Sequence, residues 1–224
     1  MLDQIIIGDK ASYEDYDASV AERTISTPKK KSIKETVPFS NITYDFSAIN
    51  GEVYWEEREL KYVFEILADT PIELEAKKTA FANWIMNVQE ENIHDPFVAD
   101  YHYVGTFDSM DFADDESVEK TTATVKFLAY PYAIANTQSV YTFVVPAASS
   151  RVVNAFNGSA HRMTPPIVTD AEIILKLGNV SYAIAASETT DDAFKLSVGA
   201  NVLEIVNATN KACTFSVKFY EEVF

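Results

Sequence analysis

The segment Leu60-Lys61-Tyr62-Val63-Phe64-Glu65-Ile66-Leu67-Ala68-Asp69-Thr70-Pro71-Ile72-Glu73-Leu74 decides how the first half of this chain folds. Leu60, Tyr62, Phe64 and Ile66 alternate with Lys61 and Glu65, the period of two that lays an apolar row along one face of a strand. The longest strand candidate covers residues 54–68. At Thr70 the period changes. Thr70-Pro71-Ile72-Glu73 is a capping box with proline at the first helical position: the threonine hydroxyl can accept the Glu73 N–H, and the glutamate can reach back to the Thr70 N–H. Leu74, Phe81, Trp84, Ile85 and Val88 then recur at helical spacing, while Lys77, Lys78, Asn87 and Glu91 fall off that stripe. The spacing predicts one helix over residues 71–90, packed on a sheet.

Upstream, Ile5-Ile6-Ile7 ends at Gly8, and residues 1–28 read as short strands and turns. Lys29-Lys30-Lys31 follows Pro28 and reads as a solvated turn. Over residues 32–46, apolar Ile33, Val37, Ile42, Tyr44 and Phe46 alternate with polar neighbours, and Pro38, which lacks a donor, marks an edge, bulge or turn. Downstream, His94-Asp95-Pro96 breaks the chain before an extended stretch to Phe107. Six acids then fall among twelve residues: Asp108, Asp111, Asp114, Asp115, Glu116 and Glu119. They are expected on a solvated hairpin connection, and they mark a candidate interaction hairpin. Residues 121–132 read as a strand with Ala123, Val125, Phe127 and Ala129 on one face.

Pro131 ends that strand, and residues 134–138 read as a linker. Strands are then expected at 139–145, 150–156, 167–177, 179–186, 193–198, 201–207 and 212–222, separated by turn signals at Asn157-Gly158, Pro165-Pro166, Gly178-Asn179, Asp191-Asp192, Gly199 and residues 207–210. Many short, evenly spaced strands indicate a β-sandwich. The expected fold is mainly β. Residues 1–135 form an α+β domain with one helix packed on a β-sandwich, and residues 136–224 form an all-β sandwich.

The 224 residues fit one large domain or two small ones, and a chain of this length needs no disulfide or metal to hold a core. Apolar residues make up 47%, which argues against disorder. Twelve tyrosines and fourteen phenylalanines against six glycines favour strands. The net charge of -16 disfavours sequence-specific nucleic-acid binding; it suits either solubility or a lumen that repels DNA. The single cysteine, Cys213, excludes an internal disulfide and is expected as a buried thiol in a reducing compartment. The start, Met1-Leu2-Asp3-Gln4, is not expected to be a signal peptide, and no apolar run reaches the length of a membrane helix. The sequons at Asn41, Asn157, Asn179 and Asn207 read as chance.

No residues of the sequence stand out as catalytic, cofactor-binding or metal-ligating. His94, His102 and His161 lie apart in sequence, without HExxH or CxxC spacing. The acidic run lacks the central glycine and terminal glutamate offset of a calcium loop. No glycine-rich phosphate loop and no G-x-S-x-G elbow is present. Nothing selects a carboxylate pair for glycoside cleavage, and no residue set supports a wall hydrolase. Sugar binding through the second domain is the main alternative to a structural role. That domain has no Trp to stack on a sugar ring. Its aromatics, Tyr141, Phe143, Phe156, Tyr182, Phe194, Phe215, Phe219 and Tyr220, are expected mostly in the core.

The order of segments carries a resemblance. Pro28-Lys29-Lys30-Lys31 leads to Val37-Pro38-Phe39 and Asn41-Ile42-Thr43-Tyr44-Asp45-Phe46-Ser47. Then come Tyr54-Trp55-Glu56-Glu57-Arg58-Glu59-Leu60, the strand over residues 62–66, the capped helix, Asp95-Pro96-Phe97 through Tyr103-Val104-Gly105, and Tyr130-Pro131-Tyr132-Ala133. Over roughly residues 1–135 this succession resembles the distal tail proteins of siphophages that infect Gram-positive bacteria. The remainder is similar to that family's galectin-like C-terminal sandwich, without room for an inserted carbohydrate-binding module.

The resemblance implies a non-enzymatic structural protein of the virion tail tip, or baseplate, assembled in the bacterial host cytoplasm. It implies a homo-hexameric ring built by the N-terminal domains, with a β-hairpin arm reaching a neighbour. One face would dock the tail tube protein and the other the tail-associated lysin or tail fibre. The C-terminal domains would project outward, where the receptor-binding protein attaches. Either the hairpin around Asp108–Glu119 or the strands within residues 10–45 can supply the arm.

Overall fold

The computed structural model describes residues 3–48, 51–115 and 119–224. Two compact units are present: Met1–Ala133 with Phe224, and Ile134–Val223. The fold is mainly β, as the strand patterns predict.

In the first unit the elements run β1 (Ile6–Ile7), β2 (Lys10–Ala11), β3 (Ala18–Ile25), β4 (Lys34–Thr36), β5 (Thr43–Asp45), β6 (Arg58–Leu67), α1 (Pro71–Ile85), β7 (Glu91–His94), β8 (Tyr101–Asp114) and β9 (Lys120–Ala129). Seven of the strands make one antiparallel sheet in the order β3-β6-β9-β8-β7-β1-β2. The sheet curls until its ends approach, with the Val20 N–H donating to the Asp3 carbonyl at 2.7 Å. The sandwich expected under the helix is therefore one sheet folded over on itself.

β6 is central and shows why. Leu60, Tyr62, Phe64 and Ile66 are all fully buried, and opposite them on β9 lie Phe127, Val125, Ala123 and Thr121. Helix α1 closes over this row: the Phe81 ring meets Phe64 edge-on at 5.0 Å, and Trp84 stacks flat on Tyr16 at 4.5 Å. Such aromatic contacts add to the burial itself.

Thr70 caps α1 as the sequence indicates, its hydroxyl accepting the Glu73 N–H at 3.2 Å. The reciprocal bond differs by one residue, since the Glu73 carboxylate accepts the Asp69 N–H rather than that of Thr70. A Thr70→Ala chain is expected to lose about 1 kcal/mol, lowering the melting temperature of this unit by roughly 4 °C; an unchanged melt in differential scanning calorimetry would refute the cap. The helix stops at Ile85, short of the expected 90. The Asn87 and Val88 N–H groups bond three residues back, to Trp84 and Ile85, and Glu90 at φ +50° turns the chain into β7. Val88 continues the buried stripe just beyond the helix.

The second unit contains β10 (Ala133–Val145), β11 (Ser149–Asn157), β12 (Ile167–Thr169), β13 (Ile173–Leu177), β14 (Val180–Ile184), β15 (Ser187–Thr189), β16 (Gly199–Asn207) and β17 (Cys213–Val223). Two four-stranded sheets, β15-β12-β17-β10 and β11-β16-β13-β14, enclose a core that includes Leu175, Phe194, Leu203, Phe215 and Val217. Residues 134–138 are strand and not a linker. Residues 167–177 form two strands, because Thr169 turns the chain by bonding Ala171. Residues 193–198 form no strand, yet Phe194 and Leu196 are fully buried, and Leu196 is held in a lone bridge to Met163.

Two of the sequons have a structural reason. Asn157 and Asn207 are fully buried. Each side-chain oxygen accepts an N–H two residues on, at Ser159 and Thr209, and each amide donates to a carbonyl four residues on, at His161 and Lys211. Neither amide is accessible to a glycan.

Candidate functional site

Among the described residues of the first unit, the ribbon between β3 and β6 carries a row of large apolar side chains left exposed. Its base is closed by backbone bonds from Lys31 N–H to the Tyr54 carbonyl and from Glu56 N–H to the Lys29 carbonyl, at 2.8 and 2.7 Å, and by Trp55, whose ring meets Phe224 edge-on. Beyond it, β4 and β5 pair only with each other among the described residues. Lys34 faces Asp45, Glu35 faces Tyr44 and Thr36 faces Thr43. The pairing continues outward, Phe46 N–H donating to Ile33 and Val37 N–H to Ile42. Ser47 closes the open end: its hydroxyl accepts the Ile33 N–H at 2.8 Å, and its own N–H and hydroxyl hold the Asp45 carboxyl below the usual carboxylate range. The tip runs through Pro38 to Asn41, with Phe39 at φ +60°.

This register sorts the side chains by face, because successive residues of a strand alternate. Ile33, Val37, Ile42, Tyr44 and Phe46 share one face with Glu35; Lys34, Thr36, Thr43 and Asp45 occupy the other. The apolar face is open to solvent. Ile33, Ile42 and Tyr44 are each more than half exposed, and Phe39 at the tip is fully so. An isolated two-stranded ribbon is marginal in water, and a contiguous exposed apolar face marks a binding surface. The alternation predicted strands here; it did not reveal that their apolar side stays largely exposed among the described residues.

The acidic residues sit differently from expectation. Asp108, Asp111 and Asp114 lie within β8, leaving a short connection to Lys120. Asp108 is the bulged residue between Phe107 and Ser109. Asp114 pairs with Lys78 at 3.0 Å, and this bond, with one from Thr121, draws its carboxyl below the usual range. The Asp115 N–H bonds the Lys120 carbonyl, and the Glu119 carbonyl accepts the Ala68 N–H. Glu116 lies outside the described residues. β9 is paired on both sides, to β6 and to β8, so this hairpin is built into the sheet, whereas among the described residues the β4–β5 ribbon is paired to no further strand.

The three histidines fall into two separate places. His94 and His102 have ring centroids 5.1 Å apart, and burial, then His102, pushes the His94 pKa down. His161 bonds the Arg162 carbonyl and the Glu222 carboxylate, each at 2.7 Å. Among the described residues no three of His, Cys, Asp or Glu are placed to hold a metal ion. A mainly apolar cavity of about 390 Å³ is lined by Gln4, Ile6, His94, Asp95, Pro96, Ala99 and Tyr101. Cys213 is buried in the core, which pushes its thiol pKa up. Among the aromatics of the second unit, Phe194, Phe215 and Phe219 are core, but Phe156 and Tyr220 are 55% and 46% exposed. They lie on different sheets, so they do not form one stacking platform.

No protein-family model and no curated relative matches this sequence. Among solved structures, the Dit protein of phage SPP1, described as a paradigm of the hub adsorption apparatus in phages infecting Gram-positive bacteria, aligns with a TM-score of 0.69. The alignment covers 99% of both chains at 14% identity. The chain thus has the fold of that protein along its whole length. The activated, calcium-bound baseplate of phage P2 also aligns, over 97% of this chain and 98% of that one, with a TM-score of 0.34 and 9% identity.

Proposed function

We propose that this chain is a structural, non-enzymatic hub protein of a phage tail tip, closing with copies of itself into a homo-hexameric ring. The observation that carries the reading is the ribbon of residues 29–55, an amphipathic two-stranded element with its apolar face uncovered, set in a chain that shares the fold of a phage hub protein. A ring requires a head-to-tail contact that closes. A projecting ribbon and an open sheet edge on the same subunit are the two halves of such a contact.

On this reading residues 1–135 form the ring and the ribbon is its inter-subunit arm. The ring joins the tail tube protein to the tail-associated lysin or fibre, and the galectin-like unit over residues 136–224 is the mount for the receptor-binding protein. The chain would act at the virion tail tip after assembly in the host cytoplasm. A carbohydrate-binding role is less well supported, since the exposed aromatics of the second unit are dispersed over two sheets.

Light scattering coupled to size exclusion, followed by negative-stain imaging, tests the proposal. The expected result is a closed ring with a central hole, alone or with its tube protein. A chain that remains monomeric at high concentration and binds no tail component would overturn it.

A further inference from the structure

We propose that His161 and Glu222 form a proton-held clasp in the second unit, closed while the pair carries a proton and released as pH rises above the ordinary histidine range.

The contacts of the ring carry this. His161 lies between two oxygens: Nδ1 is 2.7 Å from the Arg162 carbonyl, and Nε2 is 2.7 Å from the Glu222 carboxylate. A carbonyl and a carboxylate both accept, so each contact needs a hydrogen between its two atoms. A neutral imidazole has one N–H and satisfies only one of them. The other hydrogen is an added proton held by the pair, which makes the ring an imidazolium facing a carboxylate. Charge-assisted bonds of this kind are short, about 2.7–2.9 Å between nitrogen and oxygen. Once the proton leaves, a nitrogen lone pair faces an oxygen lone pair, and the ring is pushed off.

The fold holds both partners in place. Residues 158–166 connect β11 to β12 and so cross from one sheet of this unit to the other. Asn157 anchors the start of the crossover, its buried amide donating to the His161 and Leu196 carbonyls. Glu222 lies on β17. Its carbonyl accepts the Ala160 N–H at 2.7 Å, and its own N–H donates to the Ser159 hydroxyl at 3.0 Å. The crossover presses so close to this strand that a Cβ on Gly158 would meet a Glu221 carboxylate oxygen at 2.4 Å. The charged groups of the adjoining segments are Glu221 and Glu222 on β17, Arg162 beside the ring, and Lys195 next to Leu196, which bonds Met163. Glu222 is the one bonded to Nε2.

Solvent reaches the clasp, the two side chains being 31% and 18% exposed, so the proton can leave without unfolding. A histidine held as a cation by a carboxylate binds its proton more tightly in the folded chain than in the unfolded one. Its stabilisation is therefore complete below the unfolded value of about 6.5 and is lost as pH rises through the higher folded value. His94 is the opposite case in the same chain, with burial and then His102 pushing its pKa down. Release is local, since the Asn157 bonds still hold the start of the crossover while residues 159–163 loosen.

Deuterium exchange at the carbon between the two ring nitrogens, followed by mass spectrometry across the pH range, reads the titration of each histidine separately. In the unmodified full-length chain His161 is expected to titrate above 6.5, holding its proton roughly tenfold more tightly than a free histidine, and His94 below it. Glu222→Gln should return His161 to the ordinary value. Amide protection over residues 159–163 should fall about tenfold between neutral and alkaline pH, and that fall should vanish in Glu222→Gln. A His161 midpoint at or below 6.5 in the unmodified chain would overturn the inference, and this reading decides the matter even if the variant fails to fold. A raised midpoint that survives Glu222→Gln, or protection that does not change with pH, would overturn it as well.

Discussion

Replacing Val37, Tyr44 and Phe46 together by serine is expected to give a chain that folds as before and no longer assembles. The expected outcome has two halves, folding within one chain and burial between copies. Within one chain these side chains are 37%, 54% and 40% exposed and lie on a ribbon whose strands pair only with each other among the described residues. Truncating exposed groups of that kind changes stability by roughly 0.5 kcal/mol or less. Against a second copy the same side chains become buried. Each buried large apolar side chain contributes about 1.5–3 kcal/mol, of which part is already realised here by partial burial. A combined loss of about 4 kcal/mol corresponds to roughly a thousandfold rise in the dissociation constant. Sedimentation velocity and a thermal melt on the same sample separate the two halves. Assembly at the unmodified concentration would remove the ribbon from the interface, and a collapsed melt would show that its apolar face is covered within the chain.

The contrast between what was and was not legible follows from what a repeat in sequence encodes. The row Leu60, Tyr62, Phe64, Ile66 and the cap at Thr70 could be read directly, because period and capping chemistry are local and the core is where such rows ordinarily go. The row Ile33, Val37, Ile42, Tyr44, Phe46 has the same local signature and the opposite fate. Periodicity defines a face but not what covers it, and the ribbon's face is left largely exposed by the described residues. The acids at Asp108, Asp111 and Asp114 suggested a loop since aspartate is disfavoured in strands. Charges are tolerated on an exposed edge, where they also discourage indiscriminate pairing. The early end of α1 was hidden because Val88 extends the apolar stripe and no glycine marks the stop. In the second unit, Phe194 and Leu196 mimic a strand by spacing while filling the core from a loop.

An Asp95→Ala chain is expected to lose about 3–5 kcal/mol, a large fraction of the stability of a domain of this size. His94-Asp95-Pro96 looked from sequence like a plain chain break, yet the Asp95 side chain is fully buried. One carboxylate oxygen accepts the Phe97 N–H at 3.0 Å and so caps the 3-10 turn over Pro96–Val98. The other accepts the Tyr62 hydroxyl at 3.3 Å and lies 3.5 Å from Arg23 Nε. Burial first, and the Asp95 charge after it, drive the Tyr62 hydroxyl pKa upward, so Tyr62 remains a donor throughout the range in which the protein is handled. The Arg23 guanidinium is flanked by the Phe97 ring, 3.6 Å from its centroid, and also reaches Asp3 at 3.3 Å. Alanine would strand the Tyr62 hydroxyl and take from Arg23 its buried counter-charge, and breaking a buried pair from one side costs more than the pair contributes. Asparagine keeps oxygen and shape while losing the charge, so Asp95→Asn should cost about half as much. Denaturant melts of the two variants check the order. Equal losses would mean that shape and not charge dominates at this position, and a loss under about 1 kcal/mol for alanine would show that Arg23 is adequately held by Asp3 and the Phe97 ring.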